Sequence, residues 1–269
     1  MNNIIFSIII PYKGRFGFVK EAIYSVLNQV GVKKKNFEIL AIEDPGGEKE
    51  TEQKLKKVFP DVRYLDNEDN EGPGGTRNTG LKYAKGGYVV FLDSDDQLNK
   101  NYLNLMQKAL EETKDAGGVI CLSGKVFEKG FPLKEKLLRL ALSYLQDTGF
   151  MLGYIFNKGN LYTSSFYLSQ LSHMMFKKSV IGQDRFNYDY RKGGEDWDFN
   201  YRILEKAPIK IIPQRLILFR YSWGSSTYTP ENLKSKWNSY ILLISRLPRA
   251  VKKTIFAKLL MIYIKLFGK

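Results

Sequence analysis

Residues 88–96 read Tyr88-Val-Val-Phe-Leu-Asp-Ser-Asp-Asp96. The first five are β-branched, aromatic or leucine, which is the composition of a buried strand. Three carboxylates follow within four positions, at Asp93, Asp95 and Asp96. A buried strand that runs into such a cluster delivers it to the strand's C-terminal end, the edge of an open α/β sheet where ligands bind. Carboxylates this close repel one another and require a cation or strong donors beside them. Oxygen ligation favours a hard divalent ion, and Mg²⁺ or Mn²⁺ is commonly held by carboxylates together with phosphate oxygens. A plainer reading makes Asp96 the cap of a helix starting near Leu98 and the other two solvated loop charges. The calcium-loop pattern fails, because Gln97 and Leu98 follow the cluster and Asn104 stands where the closing Glu belongs.

Upstream, strand and helix signals alternate. Phe6-Ser-Ile-Ile-Ile10 is a buried strand that Pro11 ends. Residues 17–30 carry Phe18, Ala22, Ile23, Val26, Leu27 and Val30 at helical spacing. Phe37–Ile42 is a second strand, closed by the turn Glu43-Asp44-Pro45-Gly46-Gly47. A charged helix over 48–58 and a short strand at Val62–Leu65 follow. This alternation predicts a parallel sheet with right-handed crossovers. Residues 66–75 form a polar, Gly-rich loop before a helix from about Thr76 to Lys85. The loop lacks the Lys and Ser/Thr of a nucleotide P-loop, and its glycines do not make a dinucleotide fingerprint. Arg77 and Asn78 just behind it mark a ligand-facing helix start, against the alternative of a flexible surface loop.

Downstream, residues 100–114 are an amphipathic helix and Gly118–Leu122 a strand. Residues 134–170 are aromatic, Leu-rich and irregular, and read as helix and loop beside the sheet. His173–Phe176 reads as a strand, as do Ile209–Ile212 and Leu216–Tyr221, with Trp223–Thr227 as a loop. Gly193-Gly-Glu-Asp-Trp-Asp-Phe199 opens a helix that runs to about Lys206. Its acidic residues Glu195, Asp196 and Asp198 either complement the helix dipole or hold a general base at a rigid helix start. Two helices over 231–245 and 248–267 complete the chain, the second with an apolar face flanked by Lys252, Lys253, Lys258 and Lys265. That face suits an anionic membrane surface, and equally a partner subunit or the chain's own domain.

Composition narrows the classes. Of the 269 residues 43% are hydrophobic, enough for a substantial core. The single cysteine, Cys121, excludes a disulfide framework and a Cys-rich zinc site, and fits a reducing compartment. The N-terminus has no basic n-region, and no apolar run reaches the ~18 residues of a membrane span. Of the net charge of +14, residues 201–269 hold +12. The basic character therefore belongs to a tail, which argues against a nucleic-acid-binding core.

Several stretches, taken in order, resemble the family 2 glycosyltransferases. They are Ser7-Ile-Ile-Ile-Pro-Tyr12, Ala22-Ile-Tyr-Ser-Val-Leu-Asn-Gln29, Glu38-Ile-Leu-Ala-Ile-Glu-Asp44, Gly74-Gly-Thr-Arg-Asn-Thr-Gly80, Tyr88–Asp96 and Gly194-Glu-Asp-Trp-Asp-Phe199. The resemblance is close over about 4–125 and looser over 172–221. It implies the GT-A fold, an α/β architecture with a mostly parallel central sheet flanked by helices. Residues 1–228 would form that domain, with 1–125 as nucleotide-sugar half and 126–228 as acceptor-side half, and 229–269 a basic amphipathic tail. By resemblance Pro11 and Tyr12 line the nucleotide pocket, Asp44 recognises uracil, and Arg77 lies near the base and the carboxylates. Asp93, Ser94 and Asp95 match the Asp-x-Asp motif, Asp95 holding Mn²⁺ or Mg²⁺ on the diphosphate. Asp196 matches the catalytic base, with Glu195 beside it. Glu43-Asp44-Pro45-Gly46 departs from the usual Asp-Asp-Gly-Ser, and 134–170 match nothing in the family pattern. His173, the only histidine, reads as structural in preference to a metal or acceptor contact.

The expected activity is inverting, metal-dependent transfer from a UDP-sugar to a glycan or lipid-linked hydroxyl in bacterial surface polysaccharide synthesis. The expected location is cytoplasmic, on the inner face of the membrane through 248–267. The alternative is an inactive nucleotide-sugar-binding module with a partner-docking tail; the presence of both Asp-x-Asp and Glu-Asp argues against it.

Overall fold

β1 (Phe6–Tyr12) is the strand on which the rest of the sheet is laid. It pairs in parallel with β2 (Phe37–Glu43) on one side and β4 (Tyr88–Phe91) on the other. Every residue of β1 is buried, because helices cover both faces of the sheet. Phe6, Ile8 and Ile10 face one core cluster with Val19, Ala22 and Ile23 of α1 (Phe16–Leu27). Ile9 faces the other cluster, with Leu81 of α3 (Pro73–Tyr83) and Phe199 and Ile203 of α7 (Glu195–Lys206). Two buried faces explain why the strand reads as one apolar run instead of an alternating one. Gly80 lets α3 approach: a Cβ there would stand 2.4 Å from Ile9 Cγ2.

The protein is described by a computed structural model over residues 4–156, 171–190 and 194–222. The sheet order is β3-β2-β1-β4-β7-β6-β8-β5, with β3 at Arg63–Asp66, β5 at Gln97–Leu98, β6 at Gly118–Phe127, β7 at Met174–Lys177 and β8 at Ile209–Tyr221. The first four positions are parallel, as the alternation of strand and helix α2 (Lys49–Val58) predicts. β7 then runs antiparallel between β4 and β6, and β5 antiparallel beside β8. β7 thus carries the chain's second half against β4, the strand that ends in the carboxylates.

Three expectations are corrected. The helix near Leu98 does not start there: Gln97 and Leu98 pair with Leu218 and Ile217, and α4 spans Tyr102–Glu112. The two strands at 209–212 and 216–221 are one, β8, with register shifts against β6 where Pro213 is exposed. Proline has no N–H to lose, so the irregularity of the ladder falls where it costs least. Residues 134–170, read as helix and loop, open with the long helix α5 (Leu133–Phe156), and 157–170 lie outside the described residues. Asp147 of α5 ion-pairs with Arg215 of β8 at 2.5 Å, fastening the helix to the sheet. His173 ends a short 3₁₀ turn, Leu171–His173, just before β7. The expected loop at 223–227 and the helices over 231–245 and 248–267 lie outside the described residues. Among the described residues no helix is long and apolar enough to cross a membrane.

Candidate active site

The carboxylate turn is built by β4 and by its neighbour. After Phe91 the chain turns so that the Asp96 N–H donates to the Asp93 carbonyl at 3.0 Å, which puts Ser94 and Asp95 at the tip, both half-buried. The Asp93 N–H donates to Ser172 Oγ at 3.1 Å, so the segment entering β7 braces the turn. Asp96 is 3% exposed and accepts the Arg220 backbone N–H at 3.2 Å. It caps no helix; it ties the turn to β8. The Arg220 guanidinium donates through Nε to the Asp95 carbonyl at 3.0 Å and lies 4.8 Å over the Phe18 ring.

Arg77, on the first turns of α3 and 5% exposed, joins the two chemical stretches. Its Nη2 donates to Asp93 Oδ1 at 2.7 Å and its Nη1 to Glu195 Oε1 at 3.2 Å. Glu195 opens α7, and Asp196 follows it with Oδ1 accepting its neighbour Trp197's N–H at 2.9 Å. One guanidinium therefore holds residues 102 positions apart in the sequence within reach of a single bound molecule. Asn78 grips the same region from the next position. It donates to the Phe186 carbonyl at 3.0 Å and accepts the Phe186 N–H at 2.7 Å. Phe186 lies under Arg77 at 5.5 Å and stacks on Phe199 of α7 at 4.2 Å. Asn78 thus commits its amide to the Phe186 backbone and the Asp69 carboxylate, while it lines the hollow between the Gly-rich loop and Phe186. Asp198 pairs with Arg202 one turn on, at 2.9 Å, the structural role open to it from the sequence.

The ends of β1 and β2 form the other edge of the site. Asp44 Oδ1 accepts the Gly72 N–H at 2.7 Å, so the Gly-rich loop is anchored rather than loose. The loop must be glycine at 75, where a Cβ would lie 1.8 Å from the Asn70 carbonyl oxygen. Pro11 is buried, and the Tyr12 ring, 3% exposed, packs in the core with α1. At Tyr12 it is the backbone, whose carbonyl accepts the Asp44 N–H at 2.8 Å, that lies at the sheet edge. Of Pro11 and Tyr12, expected to line the nucleotide pocket, the structure thus brings the Tyr12 backbone to that edge and buries its ring. Burial, with the Glu43 charge beside it, pushes the Tyr12 hydroxyl far above its usual range. His173 is fully buried, and burial pulls it down to about 3, so it is a neutral core residue.

The electrostatics fall into two groups. Burial, reinforced by Asp93, raises the Asp95 carboxyl above the usual range, with Arg15 and Arg220 opposing. Burial likewise pushes Asp196 well above that range, reinforced by Glu195 and opposed by Arg77. Arg77 is pulled down by burial, but Asp93 and Glu195 more than offset this and its pKa is raised. Among the described residues no three His, Cys, Asp or Glu side chains are gathered as a metal cage. The turn instead offers Asp95 and the second oxygen of Asp93, a like-charged pair whose mutual repulsion a cation relieves. Such a donor set fits a hard divalent ion that completes its shell on phosphate oxygens and water.

Sequence reasoning missed Ser172, Arg220 and Gly72, because each acts through its backbone or by bracing and carries no spacing signal. The profile of the family described as Glycosyl transferase family 2 matches residues 7–181. The chain belongs to that family. This family 2 chain is 31% identical over 263 residues to the poly(ribitol-phosphate) β-N-acetylglucosaminyltransferase TarP of Staphylococcus aureus, covering 92% of the chain and 72% of the relative. It is 42% identical over 107 residues to an uncharacterized glycosyltransferase of Rickettsia felis, 39% of the chain but only 17% of the relative. The chain thus matches less than a fifth of the length of that relative. Among solved structures, S. aureus TarS 1-349 in complex with UDP-GlcNAc superposes with a TM-score of 0.67 at 21% identity, over 97% of the chain and 73% of TarS 1-349. A Pyrobaculum calidifontis mannosyltransferase in complex with GDP-Man and Mn²⁺ superposes with a TM-score of 0.65 at 14% identity, over 99% of the chain and 71% of the other. The fold is GT-A.

Proposed function

We propose that the protein transfers a sugar from a UDP-sugar to a hydroxyl of a glycan or lipid-linked acceptor, inverting the anomeric centre, in bacterial surface polysaccharide synthesis. The observation that carries this is Arg77, which holds Asp93 of the carboxylate turn and Glu195 of the α7 start on one guanidinium. Donor-side and base-side groups are thereby set on rigid elements at one sheet edge, the arrangement in-line displacement needs. TarP and a Campylobacter jejuni relative named as a diphospho-undecaprenol-linked β-1,3-glucosyltransferase, 29% identical over 198 residues, support the acceptor class.

In this mechanism Asp44 and the ends of β1 and β2 hold the nucleoside, and Asp93, Ser94 and Asp95 face the diphosphate. Mn²⁺ or Mg²⁺, held by Asp95 with the diphosphate oxygens, supplies Lewis-acid stabilisation of the leaving group when bound. Asp196 takes the proton from the attacking acceptor hydroxyl, its raised pKa making it a stronger base than an ordinary carboxylate. Glu195, fixed on Arg77, keeps the α7 start in register and raises the basicity of its neighbour. A single displacement from the face opposite the diphosphate inverts the sugar carbon, with no covalent sugar–enzyme intermediate. The site is proposed to work at the inner membrane face, the basic segment 248–267 meeting anionic lipid.

The deciding experiment is transfer from radiolabelled UDP-sugars to a lipid-linked or polyol-phosphate acceptor, with product stereochemistry read by NMR. The expected product has inverted configuration and its formation is lost in Asp196→Asn. Retention of configuration, or full activity in that variant, overturns the reading. An inactive nucleotide-sugar-binding module would bind UDP-sugar without turnover in the same assay.

A further inference from the structure

The C-terminal ends of β1 and β2 place one donor and one acceptor side by side. Asp44 Oδ1 is engaged by the Gly72 N–H at 2.7 Å, with Thr76 Oγ1 at 3.3 Å. Oδ2 faces the ammonium of Lys13, the first residue after β1, at 3.8 Å, beyond hydrogen-bond range. Lys13 Nζ lies over Gly46, where a Cβ would stand 3.4 Å from it. Among the described residues neither Oδ2 nor Nζ has a hydrogen-bond partner. The Lys13 side chain is 57% exposed, and so open an ion pair adds little to stability. Folding therefore does not account for the placement.

We propose that Lys13 Nζ is a specificity contact that donates to the C4 carbonyl of the donor's base, next to the N3–H that the donor reading already gives to Asp44. The inference rests on the donor reading above and adds a specificity residue, Lys13, to it. An ammonium only donates and a carboxylate oxygen only accepts. Uracil presents the complement: N3–H to Oδ2 and a carbonyl to Nζ. Cytosine offers a bare N3 and an amino group, and adenine a bare N1 and an amino group, so both set lone pair against lone pair and donor against donor. Guanine matches at N1–H and O6, but its N2 amino group calls for a second acceptor. Oδ1 would be that acceptor, and the Gly72 N–H at 2.7 Å with the Thr76 hydroxyl at 3.3 Å already crowds it. A donor left unpaired in a closed pocket costs affinity.

The test is calorimetric titration of the full chain and two variants with UDP, CDP and GDP in Mn²⁺. The wild type is expected to prefer UDP over CDP and GDP by about tenfold or more, cytosine mismatching both partners and guanine lacking a place for its amino group. Lys13→Met keeps the aliphatic stem and is expected to weaken UDP about tenfold while leaving CDP unchanged or tighter. Asp44→Asn keeps an oxygen on the Gly72 N–H and turns an amino group to the base, so preference should move from UDP toward CDP. Lys13→Met that binds UDP like the wild type, or weakens UDP and CDP equally, overturns the inference; the second result makes Lys13 a diphosphate contact. In both cases a wild-type preference for UDP leaves the donor reading standing. A wild type that binds none of the three overturns both.

Discussion

Arg77→Met is the perturbation that probes the site most directly. Methionine keeps most of the aliphatic stem while removing both ion pairs and the guanidinium that lies over the Phe186 ring. The two pairs are not equivalent. The Asp93 side chain is 39% exposed, so water screens it and its pair contributes about 0–1 kcal/mol. The Glu195 side chain is 13% exposed against an Arg77 side chain at 6%, and removing one partner there leaves a nearly buried carboxylate uncompensated. Breaking such a pair costs about 3 kcal/mol, and the variant should melt roughly 6–12 °C below the wild type. If the cost arises from the stranded Glu195 carboxylate, Glu195→Gln in the Arg77→Met background should return about 1–2 kcal/mol, although the same change alone destabilises the wild type. Urea denaturation of the four proteins of this cycle measures the coupling. A melting temperature unchanged by Arg77→Met, or a double variant no more stable than the single, would refute the claim that this guanidinium couples the two carboxylates.

Asp196→Asn should lower kcat by ~10²–10⁴ while UDP affinity stays within error, because the base acts only in the proton transfer. The pH profile follows from the same group: its folded pKa is raised, so the proton is held to higher pH and kcat/KM should climb as pH rises through that value. A profile flat in the wild type from acid to neutral pH would argue against Asp196 as base. Chelation by EDTA should abolish transfer, with Mn²⁺ restoring it, and Asp95→Asn should raise the Mn²⁺ concentration needed for half-maximal rate. Gly75→Ala forces a methyl against the Asn70 carbonyl, so it should destabilise by at least ~2 kcal/mol and weaken UDP binding through the shifted Gly72–Asp44 contact, both readable by calorimetry.

The first half was legible because each of its signals is local. Ile8–Ile10 declares a strand buried on two faces, Pro11 closes it, and Asp93–Asp96 sits where a buried strand must end. The second half was less legible because an antiparallel strand, β7, intervenes between the parallel pair β6 and β8 in the chain. β7 runs antiparallel, and Met174–Lys177 is too short to announce its direction. β8 was split in two because Pro213 is a breaker by local rules, while its long partner β6 carries the strand across the irregularity. The Asp96 cap failed for a similar reason. Asp followed by Gln97-Leu98 satisfies helix-start chemistry, but the strand partner that overrides it, Ile217–Leu218, lies well over a hundred residues on. At the site, residue identities were readable and their pairings were not. The sequence names Arg77, Asp93 and Glu195 as charged, but only the fold shows that one serves the other two.

The pairing also explains why the adjacent residues Arg77 and Asn78 act as one device. Arg77 grips α7 at Glu195, and Asn78 grips the backbone of Phe186, whose ring stacks on Phe199 of the same helix. Arg202, two turns into α7, reaches back to Asp198, to Asp184 and to the Arg185 carbonyl, closing the loop of contacts from the other side. The segment 184–186 is thereby clamped between α3 and α7, which carries Asp196. Because α3 is also capped by Gly72, the residue that anchors Asp44, one short helix links Asp44, the carboxylate turn and the α7 start. Movement of α3 by a fraction of an ångström would be felt at all three. This is the physical reason for its glycines: Gly80 and Gly75 set it against β1 and the Asn70 carbonyl at distances no other residue permits.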